Sequence, residues 1–362
     1  MDTQSSLHVG QDLARTRWET HQSGAAFDKK KTPYLTERAQ DFIAQQAMCV
    51  IAGLTPHNEL DGVLLLGQPG FVQVLDESTC LLHLENRGRA SGLIRRLQLA
   101  LSAGQGAWLG LFFMCHPTRE RLCVQGTVEE LSTASSVQSI AVRLHVREAF
   151  FHCSKYIRTR VSGLTVPGLP SSQQNRFPQG LLKRIPQGLL RRLPRGLLKG
   201  GQKALSEEHC RFLNQQVLCY LCTVNREGQC AVNHRGGAPG FLVPFPPDKA
   251  TPGGVILLPD FAGNGAFEAI GNIFETQQAA LVVPDYAAQV ALCISGAARV
   301  VEPKDVHQEV ARRCVGAERI IALAVQRVEV QRGNWSATLA YECARAASIW
   351  TNAQVVSTCT LK

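Results

Sequence analysis

From Leu35 onward the chain alternates short apolar runs with turns rich in Gly, Pro, Asn and Asp. MCVIAGL, DGVLLLG, GFVQVLD and TCLLHL follow one another between residues 48 and 84, a spacing that predicts antiparallel hairpins rather than strand–helix–strand units. Just ahead of them the period becomes helical, with Thr36 placed to cap and Phe42, Ile43 and Ala47 on one face. NRGRASGLIRRLQLALSAG reads as a loop and a short helix, AWLGLFFM and ERLCVQGTVEEL as strands, and SIAVRLHVREAFFHCSKYIRTR as a strand running into a short helix or turn. Residues before about 33 are polar and show neither period. They predict an extended or partly ordered arm, with Lys29, Lys30 and Lys31 as a solvated face.

The pattern then repeats. At a fixed offset of 170 residues, ten of the 37 positions from Leu35 to Phe71 are identical, among them Phe42/Phe212, Gln45/Gln215, Gln46/Gln216 and Cys49/Cys219. The segment GQPGF at Gly67 returns as GAPGF at Gly237. The register slips by six residues around Leu81-Leu82 against Leu257-Leu258, then returns to 170 at Leu111/Leu281, Leu122/Leu292, Cys123/Cys293 and Gly126/Gly296. Two long gapless stretches in one register indicate two copies of one fold. The implied organisation is an arm over 1–34, a first domain over 35–160, a linker over 161–203, a second domain over 204–340 and a tail over 341–362.

The linker carries a shorter repeat, FPQGLLKR-IPQGLLRR-LPRGLLKG, with a period of eight. Proline at that spacing forbids one continuous helix, while each unit sets paired leucines against a basic pair. It reads either as a basic amphipathic surface for an anionic membrane or acidic partner, or as an expanded tether; the tether is favoured, because no chemistry needs such a repeat. Between Val161 and Lys203 there are eight Lys/Arg and no acid; removing these eight from the net charge of +9 leaves +1. The remainder therefore has no general attraction for nucleic acid. No apolar run approaches the ~20 residues of a bilayer span, and the start lacks the apolar core of a secretory leader, which predicts a cytoplasmic protein. The thirteen cysteines are odd in number and lie mostly in apolar strand-like runs, as buried reduced thiols do. Cys219 and Cys222 form a CxxC, but positions three apart on a strand face opposite sides, so no metal site is expected there.

Candidate chemistry gathers in the second copy. Asn233, His234 and Arg235 end a predicted strand just before Gly236 and the GAPGF turn, and three polar side chains including a planar cation suit an anion or a heteroaromatic ring. Farther on, PDFAGNGAFEAIGN offers backbone amides at a helix start, with Asn264 and Asn272 able to bond a phosphate, a ribityl chain or a ring edge. It is neither a P-loop nor a dinucleotide fingerprint, since no Gly-Lys-Ser/Thr follows and no strand–helix–strand frame surrounds it. The first copy has Arg87, Arg89, Arg95 and Arg96 instead, but it alone carries FFHCSKY, Phe150 to Tyr156; the counterpart is VEVQRGNW near 328–335. His152, Lys155 and Tyr156 form a candidate polar wall, so each half keeps what the other has lost and a composite site is expected. No pattern marks a nucleophile with its base, and no catalytic residue is assigned.

Taken in order, FxxQQ, the strand pair, GxPGF, LLPDxxGN…GN, the closing LxxxG strand and FFHCxKY resemble the FMN-binding split-barrel superfamily, the pyridoxamine 5'-phosphate oxidase-like proteins. The likeness runs over about Leu35–Arg160 and Leu205–Trp335. It implies a mainly β fold with short helices (α+β), in which two tandem six-stranded antiparallel split β-barrels form an intramolecular pseudo-dimer with FMN in the groove between them. Carried over residue by residue, it implies cofactor contacts from Asn233, His234, Arg235, Gly236, Asn264, Gly265, Phe267 and Asn272, faced by His152, Lys155 and Tyr156. The activity implied is flavin-dependent oxidoreduction of a small organic substrate. The alternatives are F420 or haem as the ligand, a binder of haem or a small molecule without turnover, and an adaptor acting through residues 177–200. The opening LHVGQDLARTR is similar to the start of relatives fused to ferredoxin-reductase-type modules, which suggests a ferredoxin or flavin-reductase electron partner. Pairing of chains into a further oligomer stays open. Because the first half lacks GN…GN and GNGAFEAIGN is poor in basic residues, at most one of two pseudo-equivalent sites is expected to be intact.

Overall fold

The computed structural model describes residues 7–85, 90–116, 118–133, 139–152, 204–333 and 335–345. The 177–200 repeat, Lys155, Tyr156, Arg87 and Arg89 lie outside the described residues.

The N-terminal stretch is helical, with α1 (Val9–Arg17) and α2 (His21–Asp28), where the sequence pattern predicts an extended arm. The face of α1 that is buried consists of Gly10, Gln11, Ala14 and Arg15. A helix that buries small and polar residues leaves no apolar stripe to read. Lys29 and Lys30 are exposed as expected, but Lys31 is not: its side chain is 8% exposed and pairs with Glu148 at 2.9 Å. The chain leaving α2 joins the sheet through a bridge from Thr32 to Ala149, and this carries Lys31 inward.

In the first half, α3 (Glu37–Ala44) is capped by Thr36, whose hydroxyl accepts from the Ala39 amide. There follow β1 (Met48–Leu54), β2 (Leu60–Leu66), β3 (Val72–Asp76), β4 (Thr79–Glu85), α4 (Ala90–Ser102), β5 (Ala107–Cys115), β6 (Glu120–Thr133) and β7 (Ser139–Phe151). In the second half come α5 (Glu207–Gln215), β8 (Leu218–Val224), β9 (Cys230–Gly236), β10 (Val243–Phe245), β11 (Val255–Asp260), α6 (Glu268–Thr276), β12 (Gln278–Asp285), β13 (Val290–Val301), α7 (Gln308–Arg313) and β14 (Arg319–Arg332). A further helical stretch runs over 336–345.

The first sheet has the order β2-β1-β5-β6-β7-β4-β3, and the second, written in the same sense, β9-β8-β12-β13-β14-β11-β10. The two orders correspond strand for strand, as the duplication requires. The molecule is thus mainly β, with two seven-stranded antiparallel sheets consistent with two tandem split barrels. Seven rather than six strands arise because the short edge strands β3 and β10 pair with β4 and β11. Both copies of GxPGF are type II turns: the Phe71 and Phe241 amides bond the Gln68 and Ala238 carbonyls, with Gly70 at φ +85° and Gly240 at φ +88°. Both copies also keep a glycine at a bulge in the long hairpin, Gly126 and Gly296, where a Cβ would overlap the His145 or Ala324 carbonyl.

Each half closes on its own core, and a third core lies between the sheets, where Val50, Phe112 and Cys123 meet Tyr220, Val282 and Cys293. Cys219 belongs to the inner core of the second half and Cys222 to the layer between halves, the opposite faces that strand period dictates. Among the described residues no helix is long and apolar enough to cross a membrane.

Candidate functional site

Where the end of β7 from the first half meets the end of β9 and the β11–α6 loop from the second, a cleft of ≈ 190 Å³ opens. One wall carries Arg121 on β6 and His152, whose backbone N–H donates to the Arg121 carbonyl at 2.9 Å. The facing wall carries Asn233, His234 and Arg235 from β9 and the loop from Asp260 to Phe267, with Glu268 at the start of α6. Phe27 from α2 closes one end, its ring stacked on the His152 imidazole at 5.9 Å and 25° and edge-on to Phe150. Ala262 and Gly263 are exposed and mark the mouth.

Charge in the cleft is organised by Asp260. Its carboxylate receives Arg235 on Oδ1 and Arg319 on Oδ2, the latter at 2.6 Å, and is itself 4% exposed. The Arg319 guanidinium lies over the rings of both Trp18 and Phe267, at 5.0 and 4.6 Å. On the opposite wall the Arg121 guanidinium approaches His234 Nδ1 at 3.4 Å, and Gln125 donates to the Glu268 carboxylate. Three arginines and two carboxylates line the cleft, and a third carboxylate just outside it, Glu318, accepts Arg319 Nη2 at 2.7 Å. Both imidazoles are neutral at ordinary pH: burial first, then Arg121, Lys31 and Arg235, push His152 down to about 3. His234 is held well below its usual value by burial first, and then by Arg121 and His116. Two buried nitrogens in these walls, His152 Nε2 and Arg235 Nε, have no hydrogen-bond partner among the described residues. An unsatisfied buried donor or acceptor costs about 1–3 kcal/mol, so the cleft is chemically incomplete as a protein interior.

Of the residues singled out from sequence, the structure brings His152, Asn233, His234, Arg235, Asn264, Gly265 and Phe267 together around this cleft. Asn264 uses its Oδ1 to accept the Ala266 amide, shaping its own loop. Two others are elsewhere. Asn272 is 2% exposed on the side of α6 that faces β8 and donates to Thr223 Oγ1 at 3.0 Å, because a position five residues beyond Phe267 has rotated toward the sheet. Gly236 is a buried strand residue paired with Leu218 and not part of the lining. Arg121, Asp260, Arg319 and Phe27 were not anticipated; Asp260 stood in the quoted LLPD run, whereas the other three carry no local pattern. A second cavity, ≈ 360 Å³, lies near Leu54, Trp108 and Val224. It is larger; Asn225, Thr276 and Gln278 in its lining are bonded within the protein, and Arg96 and Glu227 also line it.

The solved structures to which the fold is similar are split-barrel proteins of the pyridoxamine 5'-phosphate oxidase-like type. HupZ of Group A Streptococcus is 15% identical, with a TM-score of 0.28, and its match covers 36% of this chain and 95% of its own. HutZ, the heme storage protein from Vibrio cholerae, is 14% identical at a TM-score of 0.24, covering 36% and 95%. General Stress Protein 26 from Bacillus anthracis is 14% identical at 0.23, covering 35% and 97%. Each match takes about a third of the chain, the size of one half. No protein-family profile and no curated protein matches the sequence.

Proposed function

We infer that the cleft binds a flavin, FMN, and that the protein is an oxidoreductase acting on a small organic substrate. The observation that carries this is the pair of buried nitrogens, Arg235 Nε and His152 Nε2, that have no partner among the described residues and stand in walls supplied by different halves, among three arginines. These residues fit the group: arginine suits a phosphate, and Asn233 and the exposed loop amides suit a ribityl chain or a ring edge. Arg121, Arg235 and Arg319 would hold the anionic end, and Asn233, His152 and Phe267 the remainder. A bound flavin would supply hydride or electron transfer. The neutral imidazoles accept or donate hydrogen bonds without adding charge, and Phe27 excludes water from the closed end. Purified protein titrated with FMN tests the reading: saturable quenching of flavin fluorescence, weakened in Arg235→Ala, is the expected result. A colourless protein that leaves FMN fluorescence unchanged refutes it.

A second reading is favoured by one feature, the neutral His152 with its unpartnered Nε2, the form of imidazole that ligates iron. Binding of hemin with a Soret band that is lost in His152→Gln, together with failure to bind FMN, would select it. Titration with F420 separates a deazaflavin from both.

A further inference from the structure

Two sheets flank the cleft, and a third element holds its shape. We propose that α1 and α2 form a wall of the site and that Arg15, which does not itself line the cleft, is its positioning residue.

Arg15 is 2% exposed and is among the largest fully buried side chains of the protein. Its fork is divided between two partners. Nη1 and Nη2 donate to Asp28 at 2.7 and 2.9 Å, while Nε and Nη2 donate to the Ala266 carbonyl at 3.3 and 3.2 Å. Gln11 adds a third donor to that carbonyl at 2.6 Å. One side chain therefore ties the β11–α6 loop to the residue that directly follows Phe27, the ring stacked on His152. Burying a guanidinium is costly unless every donor is used in good geometry. Here the partners chosen are a backbone oxygen of the cleft loop and the end of the helix that carries the cleft's aromatic plug.

Sequence around this contact is small where it must be. A Cβ on Gly10 would overlap the Gly271 carbonyl, one on Gly24 the Arg15 guanidinium, and one on Gly265 the Ser23 hydroxyl. Helix α1 therefore lies backbone to backbone on α6, and Gly10 N and His8 both reach the Glu275 carboxylate, at 2.6 and 2.7 Å. Trp18 covers Arg319 from the same side. The arm thus carries the aromatic plug and touches both the loop and one of the two arginines on Asp260.

The ligand part of the test rests on the flavin reading; the exchange part does not. Arg15→Met keeps the length and apolar stem while removing the fork, and Gly24→Ala displaces the fork while keeping its charge. We expect FMN to bind either variant about tenfold more weakly, the effect of losing one or two hydrogen bonds to a charged group. Amide hydrogen exchange should accelerate at 262–267 while the amides of β5, β6, β12 and β13 keep their protection. A folded variant with unchanged exchange at 262–267, or one with uniform acceleration across both sheets, overturns the proposal, since a merely structural contact would not single out the loop. If Arg15→Met does not fold, Gly24→Ala and Gln11→Ala decide by the same readouts. If the unaltered protein takes up no FMN, the flavin reading fails and the exchange comparison still judges the arm.

Discussion

The open cleft has a twin position in the molecule, and there the site is closed. The bulged hairpins pair Leu122 with Phe151 and, one repeat later, Leu292 with Val330, so His152 corresponds to Gln331. The β-hairpin registers likewise set His234 against Leu64 and Arg235 against Leu65. Where His152 leaves a nitrogen unpartnered, Gln331 spends both ends of its amide on the Leu64 backbone, accepting from N at 3.2 Å and donating to O. Trp335 and Leu339 are buried in the same layer between the sheets, and Thr338 bonds the Gly67 carbonyl. The two halves share one backbone plan; at the matched positions Gln331 closes on Leu64 where His152 faces the cleft.

That contrast can be broken or sharpened in several ways. The largest effect should come from Arg319→Ala, which leaves Asp260 with one cation in a site where both partners are at most 4% exposed. Removing one partner of a buried ion pair costs about 3–5 kcal/mol. Chemical denaturation should register it, together with loss of FMN binding; a stability within 1 kcal/mol of the parent would mean that Asp260 is solvated (roughly the scale of an exposed pair).

Acid should act next. His152 titrates at about 3 when folded against 6.5 ordinarily, and His234 also lies well below. Between these values the unfolded chain binds protons that the folded one refuses, so the stability present above pH 6.5 is lost as pH falls toward 3. Glu148 has the opposite sign. Burial raises it to about 6 from 4.5, and its contribution, full below 4.5, is lost as pH rises through 6. It offsets part of the histidine effect in that interval. His152 alone should account for a loss of about 3 kcal/mol by pH 4, with His234 acting in the same direction, read as a falling melting temperature that His152→Gln flattens. An unchanged slope in that variant would place the imidazole in water.

Gln331→Ala should cost about 1–2 kcal/mol, because two buried backbone groups of Leu64 lose their partners, and should leave FMN affinity alone. Isothermal titration supplies the stoichiometric counterpart: one FMN per chain is expected, and two would show that the Gln331 side also opens. A gain of a second site in Gln331→His would sharpen the comparison further.

Much of the fold was legible because its signals are periodic. Strand alternation, the Thr36 cap, the two GxPGF turns and the 170-residue offset each follow from local geometry, and the bulge glycines fell within that offset. The cleft was legible only where polar residues interrupt such a pattern, at His152, Asn233–Arg235 and Asn264–Phe267. Arg121 and Arg319 stand at the starts of strands, each between a glutamate and an apolar run, and their partners in the cleft, His234 and Asp260, lie far off in sequence; nothing local distinguishes a buried arginine from an exposed one. Phe27 and Arg15 were hidden for the opposite reason, since a helix that buries glycine, glutamine and arginine looks like a solvated arm. Asn272 was misplaced because one helical turn separates facing a ligand from facing a sheet.

Joining both halves in one polypeptide has a further consequence for the pair of positions. In an assembly of identical subunits every substitution is made twice, so a change that seals one pocket seals its mate. Tandem copies escape that constraint: Gln331 and Trp335 can fill one position while His152 and Arg235 keep the other. The halves also meet as parts of a single chain, at an effective concentration that dilution does not lower, so the composite site does not depend on how much of the protein is present.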